Sequence, residues 1–564
     1  MNKRILAMYD VRGIQKYIFQ TAKVKDAMGA SSLVENIIVD ALKDAVEKEK
    51  IPIIPGEISW EKREGRAAKL GWYGDEGPFL YRDNQMLDVE VLFVGGGNAY
   101  VFYKDEDLCV RINRHMSRYV QEQTYSLQLA VAFIEKGDNY SEDYQALNDK
   151  MASVKANMII SKPLGALPVM KTELKTGYPL SASREYSEEV STESLLKKKY
   201  KSREAQEKGE KQHVNLTHDK GTDSLLAVVH LDGNNMGLRI REMIHDQTSY
   251  EEAVNRMRLV SNQIRKSYRQ VFDEMSQNIQ EGARHCREFV SRGDKPYIRR
   301  IVTAGDDITY VCTAKIALAS VEYFCREISK YTLNGKEDQD SRKQYGFSVC
   351  AGVAFLGSHF PFSIGYEVAE SCCDNAKKRA KEPENMDHGR VGNFVDFQYC
   401  RNIQTKNLER LRNAEYITSE GNQLLIRPYY IPVDQDGLQK LQCVPYCFGQ
   451  LKKIVKDFQD EENKGLGTNN TKRPATLPRS FAKQLRNTYP LGKHMLGPWM
   501  KFLKSRGWGM PDGTCDVENL FDQDGTAKWY DALEMMDDYI DLERILEQTD
   551  EKAIDELQKE EEHA

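Results

Sequence analysis

The sequence has no excess of positive charge. Its 80 Lys and Arg are outnumbered by 86 Asp and Glu, for a net charge of −6 over 564 residues. That excludes a chain that gathers nucleic acid by its overall field, so any polyanion must be met by a local basic patch. No apolar run approaches the ~18 residues of a membrane span. The opening MNKRILAMYDVRG is too short in apolar residues for a signal peptide and is cut by Asp10 and Arg12. A cytoplasmic protein with no membrane partner is expected. Cysteine is sparse: eleven residues, an odd number, mostly inside apolar runs such as Tyr310-Val311-Cys312. This excludes a secreted disulfide framework and fits buried free thiols. Cys443 and Cys447 are spaced C-x3-C, with no second pair and no His cluster at zinc-finger spacing. There is no G-x-x-x-x-G-K-[ST] loop, which sets aside a P-loop ATPase.

What is present is an internal repeat. The first copy begins with the strand-like Ile5 to Tyr9, ending at Asp10. It continues with an apolar run from Val89 to Val94, the turn Gly95-Gly96-Gly97-Asn98 and a second run from Ala99 to Tyr103. The second copy begins with Leu225 to Leu231, ending at Asp232. It continues with Ile301 to Thr303, the turn Ala304-Gly305-Asp306-Asp307 and Ile308 to Val311. A helical segment, a strand and another helical segment follow in each: Glu106 to Glu122, Leu127 to Ile134 and Ser141 to Ala156, against Lys315 to Thr332, Gly346 to Phe355 and Ile364 to Lys381. Strands alternating with helices around a tight hairpin imply an antiparallel sheet backed by helices. The expected fold is α+β: two ferredoxin-like palms followed by a helical C-terminal domain. The expected boundaries are 1–160 for the first palm, 161–222 for a connector, 223–400 for the second palm and 401–564 for the remainder. The connector carries a basic run from Leu196 to Gln212, read as a mobile segment that is either a solvated face or a polyphosphate or nucleic-acid contact. Leu424 to Ile431 reads as one more strand pair, and Gly465 to Pro478 as a loop.

The chemistry is expected at the second hairpin. A glycine eases the turn, but a turn does not need two adjacent acids, which repel unless a cation lies between them. Asp232, at the end of its own strand, is a third acid. Asp232, Asp306 and Asp307 are therefore the candidate catalytic residues and metal ligands. Oxygen donors without His or Cys favour two Mg²⁺ or Mn²⁺ ions, which suit phosphoryl transfer. The backbone of Gly233, Asn234 and Asn235, with Gly305, would receive a phosphate. Lys377, near the end of its helix, reaches a triphosphate or merely complements the helix dipole. Gly95, Gly96, Gly97 and Asn98 lack the acids and form a degenerate copy, either a second nucleotide site or a structural one.

These residues resemble a known family. Asp10-Val11-Arg12-Gly13-Ile14-Gln15-Lys16-Tyr17-Ile18-Phe19, followed by Met28-Gly29-Ala30-Ser31-Ser32-Leu33-Val34, is similar to the opening of the first palm in the large subunit of type III CRISPR effector complexes. Asp232-Gly233-Asn234-Asn235-Met236-Gly237 and Ala304 to Asp307 resemble the two halves of that family's second-palm site. Ala376-Lys377 and Val391-Gly392-Asn393-Phe394 resemble its closing helix and strand. The resemblance implies two nucleotides between the palms and a cyclic oligonucleotide messenger made from ATP or another NTP in antiviral defence. The implied partners are those nucleotides, an activating RNA, protein or small molecule, and an effector that binds the product. Ala304 stands where the family has a first glycine, and Asn234 where many members have an aspartate. An HD nuclease domain and a cysteine zinc cluster are not recognisable, and a stand-alone form is expected. His218-Asp219 and His245-Asp246 are His-Asp pairs without the expected context of nuclease residues. The alternative is a non-enzymatic subunit that binds nucleotide or RNA.

Overall fold

A computed structural model describes residues 4–20, 24–50, 70–72, 87–95, 97–159, 167–174, 176–181, 189–208, 225–245, 247, 249–286, 289, 296–332, 346–358, 360–401, 407–433, 438–459 and 475–547. The chain forms two compact units. One comprises 1–214, 235–269 and 300–308; the other comprises 215–234, 270–299 and 309–564.

The first copy is built from β1 (Ile5–Arg12), α1 (Ile14–Phe19), α2 (Val24–Lys48), β2 (Leu70–Trp72), β3 (Val89–Gly95), β4 (Asn98–Tyr103), α3 (Glu106–Thr124), β5 (Gln128–Glu135) and α4 (Tyr140–Asn157). Its sheet runs β2-β3-β4-β1-β5. Strand β1 is central, antiparallel to both β4 and β5, and buried along almost its whole length. Leu6, Met8, Tyr100, Phe102, Ala130 and Ala132 pack against Leu147 and Met151 of α4. Helix α3 starts where it does because Asp105 accepts the Leu108 N–H at 2.8 Å, with Glu106 and Asp107 in the first turn. It buries Leu108, Ile112, Met116 and Val120, spaced as one helical stripe.

The connector contributes the short pair β6 (Leu180–Ser181) and β7 (Val190–Ser191), then α5 (Thr192–Lys208). This corrects the reading of Leu196 onward as a mobile basic segment. Up to Lys208 it is helix, and Lys197 is buried rather than solvated. Its ammonium donates to the Tyr17 carbonyl at 2.6 Å and to Glu193 one turn earlier at 2.7 Å, and lies 4.1 Å from the Tyr17 ring centroid. The rest of that run, 209–212, and His218-Asp219 lie outside the described residues.

The second copy has β8 (Leu225–Gly233), α6 (Met236–His245), α7 (Tyr250–His285), β9 (Ile298–Ala304), β10 (Asp307–Thr313), α8 (Ala314–Ile328), β11 (Val349–Gly357) and α9 (Phe362–Ala380). The small pair β12 (Met386–Asp387) and β13 (Arg390–Val391) precedes β14 (Asn393–Cys400), α10 (Leu408–Glu415) and β15 (Tyr429–Ile431). The sheet order is β15-β14-β11-β8-β10-β9. The inner order β11-β8-β10-β9 repeats β5-β1-β4-β3 of the first sheet, so the repeat seen in the sequence is a repeat of strand order. The sheet also reaches past the boundary expected at residue 400, because β15 pairs with β14.

The expected strand pair at Leu424 to Ile431 is one strand. The backbone N–H groups of Ile426 and Arg427 donate to the Asp531 carboxylate at 2.9 and 3.1 Å, and Pro428 has none to give. The C-terminal part then holds α11 (Phe448–Gln459), β16 (Ala475–Thr476), α12 (Arg479–Thr488), α13 (Lys493–Ser505), β17 (Trp508–Gly509) and α14 (Tyr530–Met535), helical as expected apart from the β16–β17 pair.

Helix α9 lies directly on β11 because Gly352 has no side chain. A Cβ there would sit 1.9 Å from the Ala369 carbonyl oxygen and 2.4 Å from the Cys373 nitrogen. Both are backbone atoms of α9, so the helix itself would have to move. Gly352→Ala is expected to destabilise the protein by about 1–3 kcal/mol or more through this overpacking. Equilibrium urea unfolding checks it, with Ala351→Gly as a comparison that creates no clash.

Candidate active site

Strand β8 is buried from Leu226 to Leu231, with His230 its one polar side chain there, then presents Asp232 with its side chain 31% exposed. Asp232 lies opposite Cys350, and Gly233 opposite Val349, in the antiparallel β8–β11 ladder. Lys377, in the last turn of α9, donates to Asp232 Oδ2. Burial works against the Lys377 charge, but the Asp232 carboxylate outweighs it and the ammonium is held more firmly protonated than usual. The lysine named from sequence as either a phosphate ligand or a helix cap is thus an ion-pair partner of the candidate aspartate.

His230 lies two residues earlier on the same face of β8. It is buried, packs edge-on against Tyr366 with ring centroids 5.7 Å apart, and has Nδ1 3.0 Å from Thr309 Oγ1. Burial lowers its pKa, so it stays neutral near pH 7. Strands β8 and β10 are neighbours in the sheet. Asp232 lies two residues along β8 from this His230–Thr309 contact, on the same face of the strand.

The hairpin turn consists of Gly305 and Asp306, with Asp307 opening β10. Gly305 has φ 69°, while Asp306 stays out of the left-handed region, the pattern of a type II′ turn with glycine first. The site donors are carboxylate oxygens, which fit Mg²⁺ or Mn²⁺ in kind. Among the described residues, however, no group of three or more His, Cys, Asp or Glu is gathered to hold a metal.

Asn234 is held by the strands beside it. It is 2% exposed, and its Nδ2 donates to Ser348 Oγ at 3.2 Å and to the Gly392 carbonyl at 3.1 Å. Its backbone N–H is used by the Ser348 carbonyl at 2.9 Å. It ties the β8 end to the strands beside it and has no backbone donor left for a phosphate. Asn235 takes φ 58° and its carbonyl receives the first turn of α6.

The first copy has the same pair in another place. Asp10, near the end of β1, accepts from Lys155 at 2.6 Å, and Lys155 lies in the last turn of α4 as Lys377 does in α9. Burial raises the Asp10 pKa and Lys155 opposes it. Asn98 lies directly opposite Asp10 in the β1–β4 ladder, with Gly97 in the turn and Gly95 closing β3. Gly96 lies outside the described residues. Asp10 and Lys155 were not among the site residues named from the sequence. Aligning Val154-Lys155 with Ala376-Lys377 is the signal that would have found them.

Residues 225–386 match the family described as Cas10/Cmr2, second palm domain. The Csm1–Csm4 subcomplex of the type III-A CRISPR-Csm interference complex is 14% identical, with 96% of this chain and 70% of that chain covered and a TM-score of 0.48. Csm1 of T. onnurineus is 12% identical over 96% and 70%, at 0.47. A Csm1–Csm4 cassette in complex with cA4 is 13% identical over 95% and 69%, at 0.45. No curated protein matches. With Asp232, the Gly305 turn and Lys377 all inside the matched segment, residues 225–386 resemble the second palm of Cas10/Cmr2, in the large-subunit family of type III CRISPR effector complexes.

Proposed function

We propose that the chain is a metal-dependent nucleotidyl cyclase or oligonucleotide synthetase that makes a cyclic nucleotide messenger from ATP or another NTP. The observation that supports this is the content of the segment similar to a Cas10/Cmr2 palm. It holds an acid at the end of one strand, two acids at the hairpin of the neighbouring strand, and a lysine already on the first acid.

Asp232, Asp306 and Asp307 would hold two Mg²⁺ or Mn²⁺ ions. When bound, the ions supply neutralising charge for the triphosphate and acidify the attacking hydroxyl. Lys377 stands ready to exchange Asp232 for a phosphate oxygen, since an ammonium pairs with either. Neutral His230, wedged between Thr309 and Tyr366, fixes the strand face from which Asp232 projects. A ribose hydroxyl of one nucleotide attacks the α-phosphorus of another, the P–O bond to the leaving group breaks, and pyrophosphate departs.

Pyrophosphate release from NTPs with Mg²⁺ or Mn²⁺, with product masses by mass spectrometry, tests the reading. No release from any NTP mixture, with or without added RNA, overturns it. Nucleotide binding that persists without metal and without the hairpin acids would favour the non-enzymatic alternative. Lys377→Met is expected to raise the KM for NTP about tenfold, the value of one lost charge-assisted contact. Steady-state kinetics at saturating metal measures this, and an unchanged KM would return Lys377 to a purely structural role.

A further inference from the structure

The last turn of α9 is held from more than one side. Lys377 reaches Asp232, and Arg379 follows it by two residues, about 200° around the helix axis at 3.6 residues per turn. An arginine at a helix end commonly serves the last carbonyls of its own helix. Arg379 serves another segment: one guanidinium nitrogen donates to the carbonyls of Ile426 at 2.5 Å and Pro428 at 3.1 Å. Those acceptors are themselves fixed. Asp531 takes the N–H groups of Ile426 and Arg427, and Tyr429 opens β15, which is paired with β14.

The contacts around Arg379 close into a ring. Its guanidinium carbon lies 3.9 Å from the Tyr446 ring centroid. The Tyr446 hydroxyl donates to Asn385 Oδ1 at 2.8 Å, and the buried Asn385 amide donates back to the Arg379 carbonyl at 2.8 Å. One turn earlier, Asn375 donates at 2.7 Å to the buried Asp396, which Arg412 holds in turn. Between these points Ala376 and Ala380 pack in one buried cluster with Phe394 and Tyr430. The first copy is built differently at this place. Two residues after Lys155 stands Asn157, exposed, whose amide returns to Ser153 of its own helix.

We infer that Arg379 is a positioning residue: it fixes the roll of the last turn of α9, so that Lys377 is delivered to the end of β8. There Lys377 meets Asp232 and, under the function proposed above, on which this part of the inference rests, a nucleotide phosphate. The helix end cannot roll to withdraw Lys377 without pulling the guanidinium off two fixed carbonyls and off the Tyr446 ring. Carbonyls stripped of a donor are costly where water does not replace it.

The test uses the full chain and zero-length carbodiimide cross-linking, which joins an amine to a carboxylate already in contact. The Lys377–Asp232 cross-link is quantified by mass spectrometry against Lys155–Asp10, the matching pair of the first copy. Arg379→Met is expected to lower that ratio about three- to tenfold, the scale of coupling within one hydrogen-bonded network. Tyr446→Leu keeps Arg379 but removes the ring beside it, and should lower the ratio less; it carries the test if Arg379→Met does not fold. A merely structural arginine would lower the urea midpoint and leave the ratio at the parental value. An unchanged ratio in either folded variant therefore overturns the assignment. In kinetics, Arg379→Met should raise the KM for NTP about three- to tenfold, in KM rather than kcat, and add nothing to Lys377→Met, because both changes act through one ammonium. Additive increases in KM overturn the assignment as well. A parent chain that releases no pyrophosphate fails the proposed function, while the cross-link still judges Arg379.

Discussion

Changing Asp306 and Asp307 together to alanine is expected to lower pyrophosphate release by at least ~10³-fold, leaving the fold intact. The size follows from the charge that a metal pair neutralises in phosphoryl transfer: several kcal/mol of transition-state stabilisation, at about 1.4 kcal/mol for each factor of ten. The fold should survive because Asp306 is a turn residue and Asp307 opens a strand whose anchoring comes from Ile308, Tyr310 and Val311. Gly305, which supplies the positive φ, is untouched. The informative comparison is Asp10→Ala in the other copy. With no acid at Gly97 or Asn98, that change should move nucleotide affinity rather than chemistry. If the double hairpin variant still releases pyrophosphate at the parental rate, the chemistry does not use these acids.

The second large effect is on stability. Arg427→Met is expected to destabilise the protein by about 3–5 kcal/mol. Arg427 and Glu534 are 0% exposed and Asp531 1%. The guanidinium donates to Glu534 at 2.8 Å, lies 3.3 Å from Asp531 and covers the Phe397 ring at 4.2 Å. Glu534 also receives Arg401 and Tyr416, and Asp531 receives Tyr429. Methionine fills much of the volume but leaves two buried carboxylates without their shared cation. Urea unfolding with an unchanged m-value would report the loss. Adding Glu534→Gln should recover part of it, because the uncompensated charge is what costs most.

The pH dependence has a definite sign. Burial raises the Asp531 carboxyl pKa above its unfolded value even with Arg427 present. The folded state therefore holds that proton more readily than the unfolded one, and this group favours folding as pH falls through the carboxylate range. Without Arg427 the deficit should be smaller at pH 4 than at pH 7.

The parts legible from sequence were those with local causes. Strands ending in Asp10 and Asp232, glycine turns between apolar runs, and the helix after each hairpin are all written in neighbouring residues. Helices α3 and α4 and strand β5 lie within two residues of their expected bounds. What was not legible depends on distant partners. Lys197 reads as one of several solvated lysines until Tyr17 and Glu193 are seen around it. Asn234 reads as a backbone phosphate donor until the Ser348 carbonyl is seen on its N–H. Leu424 to Ile431 reads as two strands until Asp531, about a hundred residues on, takes the N–H groups a ladder would need. The Asp–Lys pairs were half legible: the acids end strands, but Lys155 and Lys377 are each 145 positions from their partners.

That shared spacing has a consequence of its own. Both copies keep the acid–lysine pair across the same interval, yet only one keeps acids at its hairpin. In an enzyme assembled from two identical chains, every substitution is made twice, and a change that disarms one half disarms the other. Tandem copies on one polypeptide escape that constraint. Gly97 and Asn98 can stand in one half while Asp306 and Asp307 stand in the other, so the two halves are free to specialise separately.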